Sequence, residues 1–220
     1  MLVIRDGQNI VVRYIFTDRN RGARIETRYR LSPTGDLIGY EPRAIAADGS
    51  VGEPTVRYEV SGDSARLTMI GPSGRGGAPA NGRGPVTNAV KFEPGMVYRF
   101  GGIPWENALL AQILLRQPDK SARTFQPGRA RVEIAADTSL MIGGTRQRLR
   151  LAMIHFGNST PTGVWIDERG DFVASDAQWF MPIRPGAESA MSALRSIEMA
   201  WRYRQAEAMA QHLTKPATGP

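Results

Sequence analysis

Two histidines are the side chains in this sequence best suited to proton transfer or metal binding. His155 ends an apolar run, and His212 lies near the end of a long helical pattern. A catalytic metal site needs several His, Asp, Glu or Cys ligands at suitable spacing, but the two histidines share no such spacing and the chain has no cysteine. We therefore predict a structural, hydrogen-bonded role for His155 and a favourable helix-end cation at His212.

Other residues that could act as a nucleophile or as an acid–base pair also lack the sequence context that such catalysis needs. Ser73 stands in a glycine-rich stretch without the strained turn that a serine nucleophile needs. Asp167 and Glu168 are adjacent in a predicted hairpin turn, where they should point apart and into water. The tryptophans are predicted to be core residues: Trp105, Trp165, Trp179 and Trp201. The sequence thus predicts no catalytic residue, no cofactor or cofactor-binding residue, and no metal ligand in this segment.

The formal net charge is +7, with 28 lysines and arginines in 220 residues. A basic chain raises the question of nucleic acid, but the arginines are spread along predicted strands, where alternation places many of them on one solvated face. We therefore expect no nucleic-acid partner. No stretch approaches the ~20 apolar residues of a membrane span, and Asp6 interrupts the short apolar run at the start, so no signal peptide is predicted there.

The first two-thirds of the chain has the pattern of β-strands separated by turns. Residues 10–16 form a β-branched and aromatic run, and residues 23–31 alternate between apolar and charged side chains, which predicts a half-buried antiparallel strand. Residues 129–135 and 145–156 alternate in the same way. Residues 71–85 are rich in Gly and Pro, lack the Gly-Lys-Ser/Thr ending of a phosphate-binding loop, and predict a flexible surface loop.

Two helices are predicted. Pro104–Arg116 combines a first-turn proline, an early glutamate and an apolar stripe. A longer helix covers about residues 185–213, with an inner face of Met191, Leu194, Ile197, Trp201 and Ala208 and an outer face of Arg195, Glu198, Arg202 and Gln205. The predicted fold class is α+β, with a large curved antiparallel β-sheet covered by the short helix and the long C-terminal helix.

These elements predict a single β-rich domain over residues 1–213, followed by a linker. A chain of 220 residues can bury a core without disulfides or metals. Residues 214–220 are rich in Pro, Thr and Gly, which is typical of an interdomain linker.

Three parts of the chain resemble the amino-terminal region of imidazolonepropionase-like, metal-dependent amidohydrolases. The first is the hairpin at residues 162–175, which in that family precedes a Trp-Phe pair, a Pro-Gly or similar turn and a long helix, as it does here. The others are residues 13–22 with 26–31, and residues 103–111. The resemblance covers most of the chain, and its motifs are structural rather than catalytic.

The resemblance implies a non-catalytic accessory domain, truncated before the catalytic barrel that would be its partner. The family's His-x-His motif and catalytic aspartate would lie beyond Pro220, so the full-length protein would be the amidohydrolase. The compartment would be periplasmic or extracellular if a signal peptide precedes residue 1, and cytoplasmic otherwise. The alternative is a stand-alone β-shell protein for an apolar ligand, similar to periplasmic lipoprotein carriers. Substrate and oligomeric state stay open at this point.

Overall fold

The structure of the protein, a computed structural model, describes residues 1–16, 22–70, 85–100, 103–175 and 181–213, with side chains described as far as residue 211. The predicted linker and nearly all of the predicted 71–85 loop lie outside these residues. The contacts divide the chain into two compact units: Met1–Ile103 with Ala122–Arg129, and Pro104–Ser121 with Ala130–Pro220. The single domain over residues 1–213 stays a prediction.

The first unit contains an antiparallel sheet of eight strands. The strands are β1 (Leu2–Asp6), β2 (Asn9–Ile15), β3 (Arg24–Leu31), β4 (Leu37–Ile45), β5 (Val51–Pro54), β6 (Val56–Ser61), β7 (Ser64–Met69) and β8 (Val86–Lys91). Their order is β1-β2-β3-β4-β6-β7-β8, and β5 pairs with the end of β4. Sequence neighbours are mostly spatial neighbours, as short antiparallel connections require.

An aromatic cluster forms much of the core of this unit. Tyr29, Tyr40 and Tyr58 face one another across β3, β4 and β6. The rings of Tyr98 and Phe100 pack against them, with the closest centroids 4.9 Å apart, a range in which aromatic pairs attract. Within the described residues, aromatic side chains of the same unit pack on this face of the sheet, and the alternative of a β-shell for an apolar ligand stays a prediction.

The opposite face of the first sheet carries the charges that the alternation of residues 23–31 predicts. Arg13 Nε donates to one carboxylate oxygen of Glu26 at 2.7 Å, and Arg28 Nη2 donates to the other at 3.0 Å. Burial raises the pKa of Glu26, but the hydrogen bonds and charges of Arg13 and Arg28 outweigh it and hold the pKa below its usual range. The two arginines are more than half exposed and share this one carboxylate, so the group keeps one net positive charge on the solvated face.

A separate antiparallel sheet lies mostly in the second unit, although most of its short edge strand belongs to the first. Its strands are β9 (Ser121–Arg123), β10 (Arg129–Ile142), β11 (Thr145–Phe156), β12 (Thr162–Asp167) and β13 (Phe172–Ser175), in the order β13-β12-β11-β10-β9. Gly143 and Gly144 form the two-residue turn between β10 and β11, with φ angles of 56° and 79° that glycine adopts without strain. The last residue of β12, Asp167, pairs with Leu149, so the tip of the β10–β11 hairpin extends beyond β12.

Both helices belong to the second unit. The first helix, α1 (Pro104–Arg116), has the predicted bounds and contacts β11, β12 and β13. The second, α2 (Met191–Leu213), follows a short 3-10 helix at Glu188–Ala190. Among the described residues, neither helix is long and apolar enough to cross a membrane.

The two helices cover opposite faces of the second sheet. Leu194 and Trp201 of α2 belong to a buried cluster with Leu151 of β11 and Trp165 of β12. Alternation turns the neighbouring side chain, Ala152, to the other face, and Ala152 is also fully buried. The first helix has no residue in the α2 cluster but contacts the same strands, so it covers the Ala152 face. The second unit is therefore a sheet between two helices.

The α+β class and the presence of a short and a long helix are as predicted. The long helix begins at Met191, however, and not near residue 185, because a turn and a 3-10 helix precede it. The strands form two sheets, however, instead of the single large curved sheet expected, and both helices pack on the smaller one. Alternation identifies strands and their buried faces, but it does not specify which strands pair. Because neither helix is in the first unit, the aromatic cluster takes up the apolar face of the first sheet.

Candidate functional site

His155 lies on β11 opposite Arg131 of β10. Arg131 Nη2 lies 3.2 Å from the ring Nδ1, and Glu133 Oε1 lies 3.4 Å from Nε2. A guanidinium only donates, so Nδ1 accepts and the neutral ring carries its proton on Nε2, facing Glu133. This placement between two strand neighbours fits the structural role predicted for His155. The side chain of His212 lies outside the described residues.

We expect His155 to titrate below the ordinary histidine pKa of 6.5. Burial lowers the pKa of His155, the charge of Arg131 lowers it further, and Glu133 opposes these effects only in part. Because the fold favours the neutral ring, its contribution to stability is complete above pH 6.5 and is lost as the pH falls through the lower folded-state pKa. Proton NMR of the two histidine rings measures the midpoints, and His155→Gln identifies the signal.

Substitutions at two residues beside His155 should shift its titration midpoint in opposite directions. Arg131→Gln should raise the midpoint of His155, because it removes a nearby positive charge, whereas Glu133→Gln should lower it further. A midpoint at or above 6.5 in the unmodified chain would contradict the placement of the ring.

Asp167 and Glu168 do not both point into water, contrary to the prediction. Glu168 is exposed, but the side chain of Asp167 is only 10% exposed. Its Oδ1 accepts from the backbone N–H groups of Arg169 and Asp171 at 3.1 and 2.9 Å, and its Oδ2 accepts from Arg184 Nη1 at 2.8 Å. Asp167 therefore holds the β12–β13 turn and a following segment together. The two carboxylates form no acid–base pair.

A groove of about 680 Å³ lies beside this turn. Its walls are the hairpin tip within residues 142–148, the turn at residues 167–169 and the segment at residues 184–186. Gln147 Oε1 accepts from Arg184 Nη2 at 3.0 Å, which connects the hairpin to the segment. On the far side of the turn, Gln112 of α1 donates to the carbonyl of Gly170 at 2.6 Å. Hydrogen bonds thus fix all three walls.

The lining of the groove is rich in arginine. Arg146, Arg148, Arg169 and Arg184 face it, together with Asp167 and Glu168. Arg148 is engaged by Asp137, whose two oxygens lie 2.8 and 2.6 Å from its Nε and Nη2. In the described part of the chain, the Arg146 guanidinium has no ion pair or hydrogen bond. Sequence reasoning missed this site because its walls come from three separate segments.

The tryptophans predicted to lie in the core do so where the structure describes them. Trp105, Trp165 and Trp201 are all buried. Trp179 and Ser73 lie outside the described residues, so the expectations for them stay predictions.

The predicted inner face of α2 is correct only between Leu194 and Trp201. Leu194 and Trp201 are buried and Ile197 is partly buried, but Met191 and Ala208 are exposed. Met191 is the first residue of the helix and Ala208 lies in its exposed second half, so both fall outside the buried stretch. The prediction for Met191 and Ala208 is therefore wrong.

Glu198 was assigned to the outer face of α2 and is instead 1% exposed. Arg202, one turn later, donates to its Oε1 through Nη2 at 2.7 Å. Gly163 of β12 makes the room, since a Cβ there would come within 2.9 Å of the Glu198 carboxyl carbon. A glycine inside a strand pattern is the signal that could have indicated this close approach.

The second half of α2 is exposed from residue 203 to residue 211. Tyr203 is 64% exposed and Met209 is 67% exposed. With Ala206 they form the outer stripe: at about 100° per residue, the three positions lie on one side of the helix. The outer stripe points roughly a third of a turn away from the side on which Leu194 and Trp201 lie.

In the part of the chain that the structure describes, no group of three His, Cys, Asp or Glu side chains is placed to hold a metal ion. No protein-family model, curated protein or solved structure matches the chain. These comparisons do not link it to amidohydrolases, and that resemblance stays a prediction.

Proposed function

We propose that this chain is a non-catalytic accessory module that docks on a catalytic domain through the second half of α2. The observation that supports the proposal is the outer stripe, exposed on a helix that continues beyond its own sheet. From the resemblance described above, the proposed catalytic domain is an amidohydrolase-like barrel of the same polypeptide. Metal binding and catalysis would then belong to the barrel, and this module would contribute a packing surface.

An uncovered helical segment of this length gains stability from a partner. Residues 203–213 of α2 extend for about 16 Å at 1.5 Å per residue, and isolated helices shorter than about 12–15 residues are marginal in water. Because Tyr203 lies about half a turn from the side that Leu194 and Trp201 bury, settling of the segment onto its own sheet would leave the Tyr203 ring uncovered.

The composition of the outer stripe suits a packed protein surface. Tyr203 offers a large rigid ring with a polar tip, and Met209 offers a flexible side chain that adapts to irregular neighbours. Ala206, between them, allows a second element to approach the helix closely. An aromatic anchor beside small residues is typical of the centre of an interface.

Hydrogen exchange should divide α2 in the isolated chain. Amides from residue 194 to residue 201 should approach the protection of global unfolding, because Leu194 and Trp201 are buried, while amides near Met209 should exchange early. Exchange detected by NMR or mass spectrometry measures this gradient, and α1, buried along most of its length, gives the internal reference. Uniform protection up to residue 211 would mean that the whole helix is held by this chain alone.

The docking proposal has a direct genetic test. Sequencing the gene beyond codon 220 should show a continuing reading frame that encodes His-x-His, whereas a stop codon directly after Pro220 would overturn the proposal. In the longer protein, amides of residues 203–211 should become protected. Tyr203→Ser with Met209→Ser should remove that protection, and Arg204→Gln, an exposed residue on the opposite side of the helix from Ala206, should not.

A further inference from the structure

We propose that the arginine-lined groove of the second unit binds the phosphate groups of a small phosphorylated ligand. Its lining residues lie between positions 142 and 186, away from the exposed half of α2, so the inference does not depend on the docking proposal. Most of the lining side chains are charged or polar. The groove would therefore select its ligand by charge and hydrogen bonds rather than by apolar burial.

The floor of the groove is preorganised. Arg184 is held through both terminal nitrogens, by Asp167 at 2.8 Å and by Gln147 at 3.0 Å, and its backbone N–H donates to the Val173 carbonyl at 2.7 Å. Asp167 is itself fixed by two backbone N–H groups. A ligand would meet a floor whose side chains are already ordered, so less conformational entropy is lost on binding.

Two arginines of the lining retain capacity for a ligand. Arg146, at the hairpin tip, has no ion pair within the described residues. Arg169, on the opposite wall, is 80% exposed, and its Nε forms only a loose ion pair with Asp171 Oδ2 at 3.6 Å, longer than a hydrogen bond. Arg148 and Arg184 are engaged by carboxylates at 2.6–2.8 Å. The uncommitted positive charge therefore lies on the two walls.

A phosphate group matches this arrangement better than a carboxylate does. A phosphate monoester or pyrophosphate carries about two negative charges or more at neutral pH and has oxygens that can face both walls, whereas a carboxylate has one charge and one plane. Guanidinium groups bind such oxyanions through paired N–H donors. At about 680 Å³ the open groove also has room for the group that carries the phosphate.

Glu168 places a negative charge in the same groove as the arginines. It is an exposed carboxylate on the groove wall, and the pKa of the Arg148 guanidinium is raised mainly by Asp137 and further by the charge of Glu168. A bound phosphate would be repelled by Glu168, so removing this charge should strengthen binding while removing Arg146 or Arg169 should weaken it. Because any change of net charge also affects anion binding, an exposed arginine outside the groove is needed to show that these effects are local.

The experiment is isothermal titration of the chain with pyrophosphate and with inorganic phosphate at fixed ionic strength. Pyrophosphate should bind in the low-millimolar range or more tightly, and more tightly than phosphate, because it presents more charge to the two walls. Arg146→Gln with Arg169→Gln should weaken pyrophosphate binding about tenfold or more, the effect expected when charge-assisted hydrogen bonds are lost. Glu168→Gln should strengthen it.

Arg195→Gln is the matched control, since Arg195 is exposed in the same unit but lies outside the groove. It should leave the affinity within about twofold, and all variants should keep the melting temperature of the unmodified chain, because their side chains are solvated. A dissociation constant weaker than about 10 mM for both anions, or an equal loss in Arg195→Gln and in the groove variant, would overturn the proposal.

Discussion

Trp201→Ala should lower the free energy of unfolding of the second unit by about 3–5 kcal/mol, the usual loss when a buried large aromatic is truncated. Trp201 is 7% exposed and belongs to the cluster that joins α2 to the second sheet, with Leu151, Trp165 and Leu194. A loss of this size is a large part of the ~5–15 kcal/mol that holds a domain together.

Tyr203→Ala is the matched control for this prediction. Tyr203 lies two residues later on the same helix and is 64% exposed, so its truncation should change the free energy of unfolding by less than about 0.5 kcal/mol. Urea unfolding followed by circular dichroism compares the two variants without relying on the tryptophan that one of them lacks. Equal losses would show that α2 does not pack through the Trp201 side.

The same comparison reports on the organisation of the chain. If residues 1–213 unfold as one cooperative domain, Trp201→Ala should shift a single transition measured over all strands. If the two units are independent, exchange-protected amides of β2–β4 should keep their stability while those of β11 and β12 lose it. The contacts define two compact units, and this measurement tests whether the units also unfold separately.

Elements with a strong local pattern were predictable from the sequence. The bounds of α1 follow from a first-turn proline and an apolar stripe, and residues 129–135 were correctly expected to be extended. The observed strand β10 continues to Ile142, past a register shift between Ile134 and Ala136 that moves the even-numbered positions from the sheet face of Ala152 to that of Leu151. A bulge of this kind interrupts the alternation without ending the strand, so the sequence pattern stops earlier than the structure does.

Features set by tertiary contact were not predictable. Glu198 has the spacing of an outer-face residue, and only the glycine at position 163 on a distant strand allows it to be buried. The groove likewise depends on Asp167 meeting Arg184, seventeen residues later in the chain. Periodicity describes one element at a time, whereas these contacts depend on how elements from different parts of the chain are brought together.

Asp167→Ala should destabilise the second unit by about 2–4 kcal/mol, because the substitution leaves buried donors without their acceptor. The lost groups would be the backbone N–H groups of Arg169 and Asp171 and the guanidinium of Arg184, all now within 3.1 Å of the carboxylate. This range already allows for the partial exposure of Arg184, which lets water replace some of the lost interaction. Thermal and urea unfolding measure the effect.

Two comparison variants separate the roles of the Asp167 carboxylate. Asp167→Asn keeps an oxygen for the turn but presents an amide where Arg184 needs a negative charge, so it should lose less stability than Asp167→Ala. Asp137→Ala removes an exposed carboxylate that also pairs with an arginine, and its effect should be the smallest of the three because water solvates both charges. If Asp167→Ala lowered the free energy of unfolding no more than Asp137→Ala does, the prediction would be wrong. The contact between the β12–β13 turn and Arg184 would then contribute little to the stability of this end of the sheet.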